Sequence, residues 1–205
     1  MLTSERPPTR PWTRDEYNRA AELGLFGPTE RLELLNGEII QKVSPQSRSH
    51  AAGITLMAEA LRAVFTVSYH IREEKPLVLT DNSEPEPDIV VVCGTARLAT
   101  GHPTPDTAAL VVEVSETTLT FDRAEKAAAY ARSGITDYWI LNVRGRLLEV
   151  RRDPGLIGED EYGYRSLQII AEDGEISTLE KPEHNFTVAE FLPALPQHQI
   201  IANAE

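Results

Sequence analysis

A mixed-sheet α/β domain is the fold class this sequence predicts, and three observations predict it. The runs DIVVVC (88–93) and ALVVEV (109–114) are near-continuous in β-branched residues, the composition of central strands buried on both faces. ALVVEV, a helical segment from about Asp122 to Ser133 and the strand DYWILNV (137–143) follow one another within about 35 residues, which is the pattern of a parallel βαβ unit. After Val143 the pattern becomes alternating: RGRLLEVRR (144–152) and YGYRSLQII (162–170), with turns at Arg144-Gly145 and Asp173-Gly174, read as an antiparallel meander.

The elements follow in order. Thr13 and Glu16 form a capping box for a first helix, Thr13 to Leu23, whose modest apolar face is Tyr17, Ala20 and Ala21. The nearby Arg6, Arg10, Arg14 and Arg19 read as a solvated segment in preference to a nucleic-acid arm. RLELLNGEIIQKV (31–43) is a hairpin turned at Asn36-Gly37, where both residues need positive φ. Glu33 projects to the face opposite Leu32 and Leu34; that face is either wet or functional, and Glu38 beside the turn is the weaker candidate of the two. Ser47 or Ser49 caps a second helix running to about Phe65, with Ile54, Met57, Ala58 and Leu61 on one stripe and His50 on the same stripe. A histidine there is most simply a core or helix-start residue, and its position beside a sheet keeps it a supporting candidate.

YHIREEKPLVLT (69–80) suggests two short strands or one bent around Pro76, followed by a polar loop from Asp81 to Pro87. GTARLATGHPTPDT (94–107) is a loop with Gly and Pro breakers. In the helix from Asp122, Ala124, Ala127, Ala128 and Ala131 form a small-residue face, and Gly134 is the stop. Thr187 with Glu190 caps a short last helix ending before Pro193. With no internal repeat or linker, one domain is expected over 1–205: a core over about 30–143 and a meander over about 144–180.

Composition narrows the function classes. The 41 % hydrophobic content argues against disorder, and a lone cysteine, Cys93, points to a reducing compartment. No signal peptide and no bilayer-length apolar run are evident, so a cytoplasmic protein without membrane contact is expected. The net charge of −12 weighs against a nucleic-acid partner. A local basic patch or bound cations can invert that balance around one site, and 16 of the 20 basic residues are arginine.

The chemical signal is Glu113, an acid at the centre of VVEV. A charge buried without a partner costs several kcal/mol, so this group must be paired, protonated or bound to metal. Asp88 opens DIVVVC, a strand expected beside that of Glu113. Two such carboxylates repel unless a divalent cation lies between them, and Mg²⁺ suits hard oxygen ligands with a substrate phosphate completing its shell. A lysine nearby could orient the attacking water or hold the phosphate.

Pro87-Asp88, then Glu113, then a lysine resembles the PD-(D/E)XK superfamily of metal-dependent nucleases. More narrowly, LELLNGEI (32–39), SPQSRSH (44–50), EPDIVVV (86–92), LVVEVSETT (110–118) and DRAEKAAAYARSGITDYWIL (122–141) together resemble the Uma family of putative restriction endonucleases. The resemblance implies a restriction-endonuclease-like fold, DNA as substrate, Mg²⁺ with Mn²⁺ as substitute, Asp88 and Glu113 as metal ligands, and a homodimer. It departs from the superfamily where a lysine should stand two residues after Glu113, because that position is Ser115. The resemblance then points to Lys126, which shares a helix face with Asp122 and Tyr130; by spacing alone Lys126 would be a surface lysine paired with Asp122. By the same analogy Glu33 is the supporting acid. Two other readings stay open: a nuclease fold that binds or assembles without cutting, and a glycosidase using the two carboxylates as acid and base.

Overall fold

The computed structural model describes residues 9–42 and 47–195; Arg6 and Ser44 to Gln46 of the second block above lie outside them. Six strands form one sheet in the order β3-β4-β5-β6-β7-β8. Their ranges are β3 (Tyr69–Glu73), β4 (Ile89–Cys93), β5 (Ala108–Ser115), β6 (Asp137–Asn142), β7 (Leu147–Leu156) and β8 (Tyr162–Ala171). Only β5 and β6 run parallel, Val111 beside Tyr138 to Ser115 beside Asn142. Every other neighbouring pair is antiparallel, so the parallel centre is a single pair and the meander strands continue the same sheet. Among the described residues no helix is long and apolar enough to cross a membrane.

The β-branched runs are buried for the reason their composition gives: each side chain faces a covered sheet face. On one face lie Val91, Leu110, Val112, Val114, Trp139 and Leu141, under helix α2 (Arg48–Val64) and the segment around Phe186, Val188 and Phe191. Ser47 caps α2 through the His50 amide at 3.0 Å, and Ile54, Met57, Ala58 and Leu61 are its buried stripe. Gly53 lets the helix approach closely, since a Cβ there would meet Val114 at 3.0 Å. The C-terminal turn Val188–Phe191 carries the expected Thr187/Glu190 capping box, and the strands β9 (Glu175–Ile176) and β10 (Phe186–Thr187) pair just before it.

The other face carries Val90, Val92, Val111, Tyr138 and Ile140 under a helical segment in three parts. It begins as the turn α3 (Leu119–Phe121), widens into a π-helical turn over Asp122–Lys126, and continues as α4 (Ala127–Arg132) to Gly134 at φ +85°. The expected single helix from Asp122 is therefore interrupted. The interruption coincides with a local contact: the Tyr138 hydroxyl donates to the Asp122 carbonyl at 2.9 Å, where the π-turn begins. The alanine face shifts with it; Ala127 and Ala131 are buried, while Ala124 is exposed.

Helix α1 (Arg14–Glu22) has the predicted capping box, and the hairpin of β1 (Leu32–Leu35) and β2 (Glu38–Gln41) turns at Asn36 (φ +51°) and Gly37 (φ +79°). This hairpin is not a wet edge. The Glu84 amide donates to the Leu34 carbonyl at 2.8 Å, which lays the hairpin against the loop before β4. LVLT (77–80) forms no strand beyond one bridge, Thr80 to Ser83. Leu77 and Leu79 are buried, and their amides reach Pro85 and Ser83 carbonyls instead of a ladder.

Candidate active site

Strand register brings the two predicted metal ligands face to face. The β4–β5 register pairs Ile89 with Val112 and Val90 with Val111. Continued one residue, it sets Asp88 opposite Glu113 on the same face, where directly opposed Cβ atoms lie roughly 5 Å apart. That face is the one covered by the π-turn and α4. Asp88 and Glu113 are both buried, and both line a pocket of about 400 Å³ with Glu33, His50, Asp122 and Lys126.

Lys126 is not a surface lysine. It is 3 % exposed, and its Nζ donates to Glu113 Oε1 at 2.8 Å and lies 3.4 Å from Glu33 Oε1. The π-turn is what aims it inward, together with Asp122 one turn earlier. Glu33, also buried, accepts from the Glu86 amide at 2.9 Å, so the odd face of the hairpin is turned to the pocket and not to water. Glu38 is exposed and stands outside the pocket. His50 places Nε2 3.4 Å from Asp88 Oδ2, while its buried Nδ1 has no partner among the described residues.

Tyr130 is the residue sequence reasoning left without a role. Its hydroxyl donates to Glu113 Oε1 at 2.7 Å, the same oxygen that Lys126 uses. The signal was present in the four-residue spacing of Asp122, Lys126 and Tyr130. Asp122 accepts from Thr118 at 2.6 Å, and Ser115, at the position where a superfamily lysine would stand, is buried with its hydroxyl 3.4 Å from Thr118.

The electrostatics follow from four buried carboxyls around one buried ammonium. Burial pushes Glu113 up to about 8; Lys126 pulls it down, while Asp88, Asp122 and Glu33 add to the rise. Burial raises Asp122 as well, against Lys126 and Thr118. Burial opposes the charge of Lys126, but Glu113, Glu33, Asp122 and Asp88 outweigh it and hold the ammonium protonated well above the usual lysine range. Burial also works to raise Asp88, yet His50, Lys42 and Lys126 prevail and keep it low.

This charge surplus is what a divalent cation would relieve. Asp88 meets the Val114 amide (2.7 Å) and His50 through Oδ2, and Glu113 meets Lys126 and Tyr130 through Oε1. Each carboxylate thus has a second oxygen that these contacts do not use. Among the described residues no three His, Cys, Asp or Glu side chains converge on one metal position. A pair of carboxylates suits Mg²⁺, which keeps several waters and completes its shell with substrate phosphate.

Comparison with known proteins shows the family and the fold. A family model described as "Putative restriction endonuclease" (Uma2) matches residues 14–190. The fold is similar to the crystal structure of a putative nuclease belonging to DUF820 from Anabaena variabilis, at 16 % identity and a TM-score of 0.65, covering 88 % of this chain and 97 % of that one. No curated protein matches the sequence. The family match spans most of the chain, and its description supports a nuclease function; the chain belongs to the Uma2 family of putative restriction endonucleases.

Proposed function

We propose that this chain is a Mg²⁺-dependent endonuclease that hydrolyses DNA phosphodiester bonds, with Mn²⁺ as a substitute, and that it acts in the cytoplasm as a homodimer. One observation carries the reading: Asp88 and Glu113 oppose each other on neighbouring strands in a pocket whose buried acids outnumber its buried cation. A Mg²⁺ ion bound there would lower the pKa of a water and stabilise charge developing on phosphorus. Asp88 and Glu113 would hold the ion. Lys126 and Tyr130 fix the Glu113 carboxylate, and Glu33 in turn holds Lys126. Lys126 also supplies the positive charge nearest Glu113, where the phosphate enters. A two-fold dimer would present two such pockets to the two strands of a duplex.

The test is incubation of purified protein with plasmid DNA, with and without Mg²⁺ or Mn²⁺. Cleavage should require the metal and fall more than about 100-fold in Glu113→Gln, since even supporting groups of a metal site are worth 10–100-fold. Metal-independent cutting, or a variant as active as the parent, would sink the assignment. A second reading, a nuclease fold that binds without cutting, is favoured by one contact: Lys126 already serves as counter-ion to both Glu33 and Glu113. It predicts no cleavage with any divalent metal.

A further inference from the structure

The open end of the β1–β2 hairpin carries two cations to which the chemistry above gives no role toward the substrate, although Lys42 offsets part of the Asp88 charge. The hairpin register pairs Leu32 with Gln41; one step further it pairs Arg31 with Lys42, and the Lys42 amide donates to the Arg31 carbonyl at 2.8 Å. Directly opposed residues share a face, and the two-residue period puts Arg31 with Glu33 and Lys42 with Ile40. All four line the active-site pocket. Within the lining, Arg31 and Lys42 are the only Lys or Arg besides the buried Lys126.

Both side chains line the pocket and keep part of their surface exposed. Lys42 Nζ donates to the Glu86 carbonyl at 2.7 Å, a neutral acceptor that leaves its charge in place. Arg31 pairs with Glu74, and both side chains are about one-third exposed (31 % and 34 %), so the guanidinium keeps a face that an incoming anion can reach. A polyanion approaching four buried carboxyls in a chain of net charge −12 is repelled unless cations meet it at the mouth. We infer that Arg31 and Lys42 hold a backbone phosphate next to the one attacked, and so set where the nucleic-acid strand enters the pocket.

This inference rests on the nuclease reading but is tested apart from it, by binding of a labelled DNA duplex followed by fluorescence anisotropy over a salt series. Each phosphate-neutralising cation contributes about 0.9 to the slope of log affinity against log salt. Arg31→Gln and Lys42→Gln should each weaken binding and flatten that slope by about 1, and the double variant by about 2. Lys42→Arg should keep the slope, and Arg165→Gln, outside the pocket, should leave it unchanged. Slopes equal to the parent's in the double variant, with thermal melting showing it folded, would overturn the clamp even if DNA is cut. Flattened slopes in a protein that binds but never cuts would support the clamp and overturn the endonuclease reading. A parent that neither binds nor cuts overturns both.

Discussion

Two sets of buried acids lie on or against the central sheet, and they are built differently. Asp137, fully enclosed at the start of β6, accepts from Arg152 Nε (2.9 Å), Trp139 Nε1 (2.8 Å) and the Leu179 amide (2.8 Å). Glu149 on β7 is held by Arg123 and Arg151. Each of these acids has a guanidinium of its own or two. Glu33, Asp88, Glu113 and Asp122 instead share one buried ammonium and face a pocket. Burial of a carboxylate is therefore no mark of a site; an excess of carboxyls over cations, open to solvent on one side, is.

The sharpest way to break this comparison is to remove an acid from the satisfied set. Asp137→Ala strands Arg152, the indole and an amide, and should lower unfolding free energy by about 3–5 kcal/mol. Denaturant unfolding checks it. Activity per folded molecule should stay at the parent's level, and a selective loss of cleavage with intact stability would mean that Asp137 belongs to the reacting set.

A smaller effect is expected at Tyr130. Tyr130→Phe deletes one donor to Glu113 Oε1 and keeps the packing, so metal-dependent cleavage should fall about tenfold through weaker metal binding. The loss should shrink as Mg²⁺ is raised. A loss that saturating Mg²⁺ leaves untouched would show that the phenol acts elsewhere.

The smallest effect concerns His50 and Asp88 in metal-free protein. Burial works against the His50 charge, but Asp88 raises its pKa above 6.5, so its contribution is full below 6.5 and fades as pH climbs through the folded value. Asp88 is held below 3.8, so its contribution is full above 3.8 and fades as pH falls through its folded value. The stability gap between the parent and His50→Gln should therefore be widest from about pH 4 to 6.5 and narrow on either side. A gap independent of pH would remove the ionic pairing.

Much of this site was legible because strand periodicity is strict. Asp88 and Glu113 were expected on neighbouring strands, to which the register adds that they share a face, and Glu33 leaves the face of Leu32 and Leu34 by counting. What the count could not supply was the burial of Glu33, which depends on the Leu34–Glu84 contact across some fifty residues of chain. Lys126 was harder. Regular helical spacing turns it away from the alanine face, and it meets Glu113 from within the π-turn, whose Asp122 carbonyl accepts from Tyr138 of the next strand. Asp137 and Glu149 passed unnoticed because an acid at a strand start or in an alternating strand normally faces water. Their arginine partners come from β7 and the π-turn. The meander also runs past Arg152, through Asp153 at φ +59° and Pro154, which composition alone reads as a break.

The central claim is that Asp88 and Glu113 share a divalent cation, and calorimetric titration of Mn²⁺ into the metal-free protein tests it most directly. The account predicts one site per chain, lost in both Asp88→Asn and Glu113→Gln, with a rise in thermal stability on saturation in the parent alone. No heat at millimolar Mn²⁺, or a site that survives both substitutions, would contradict it.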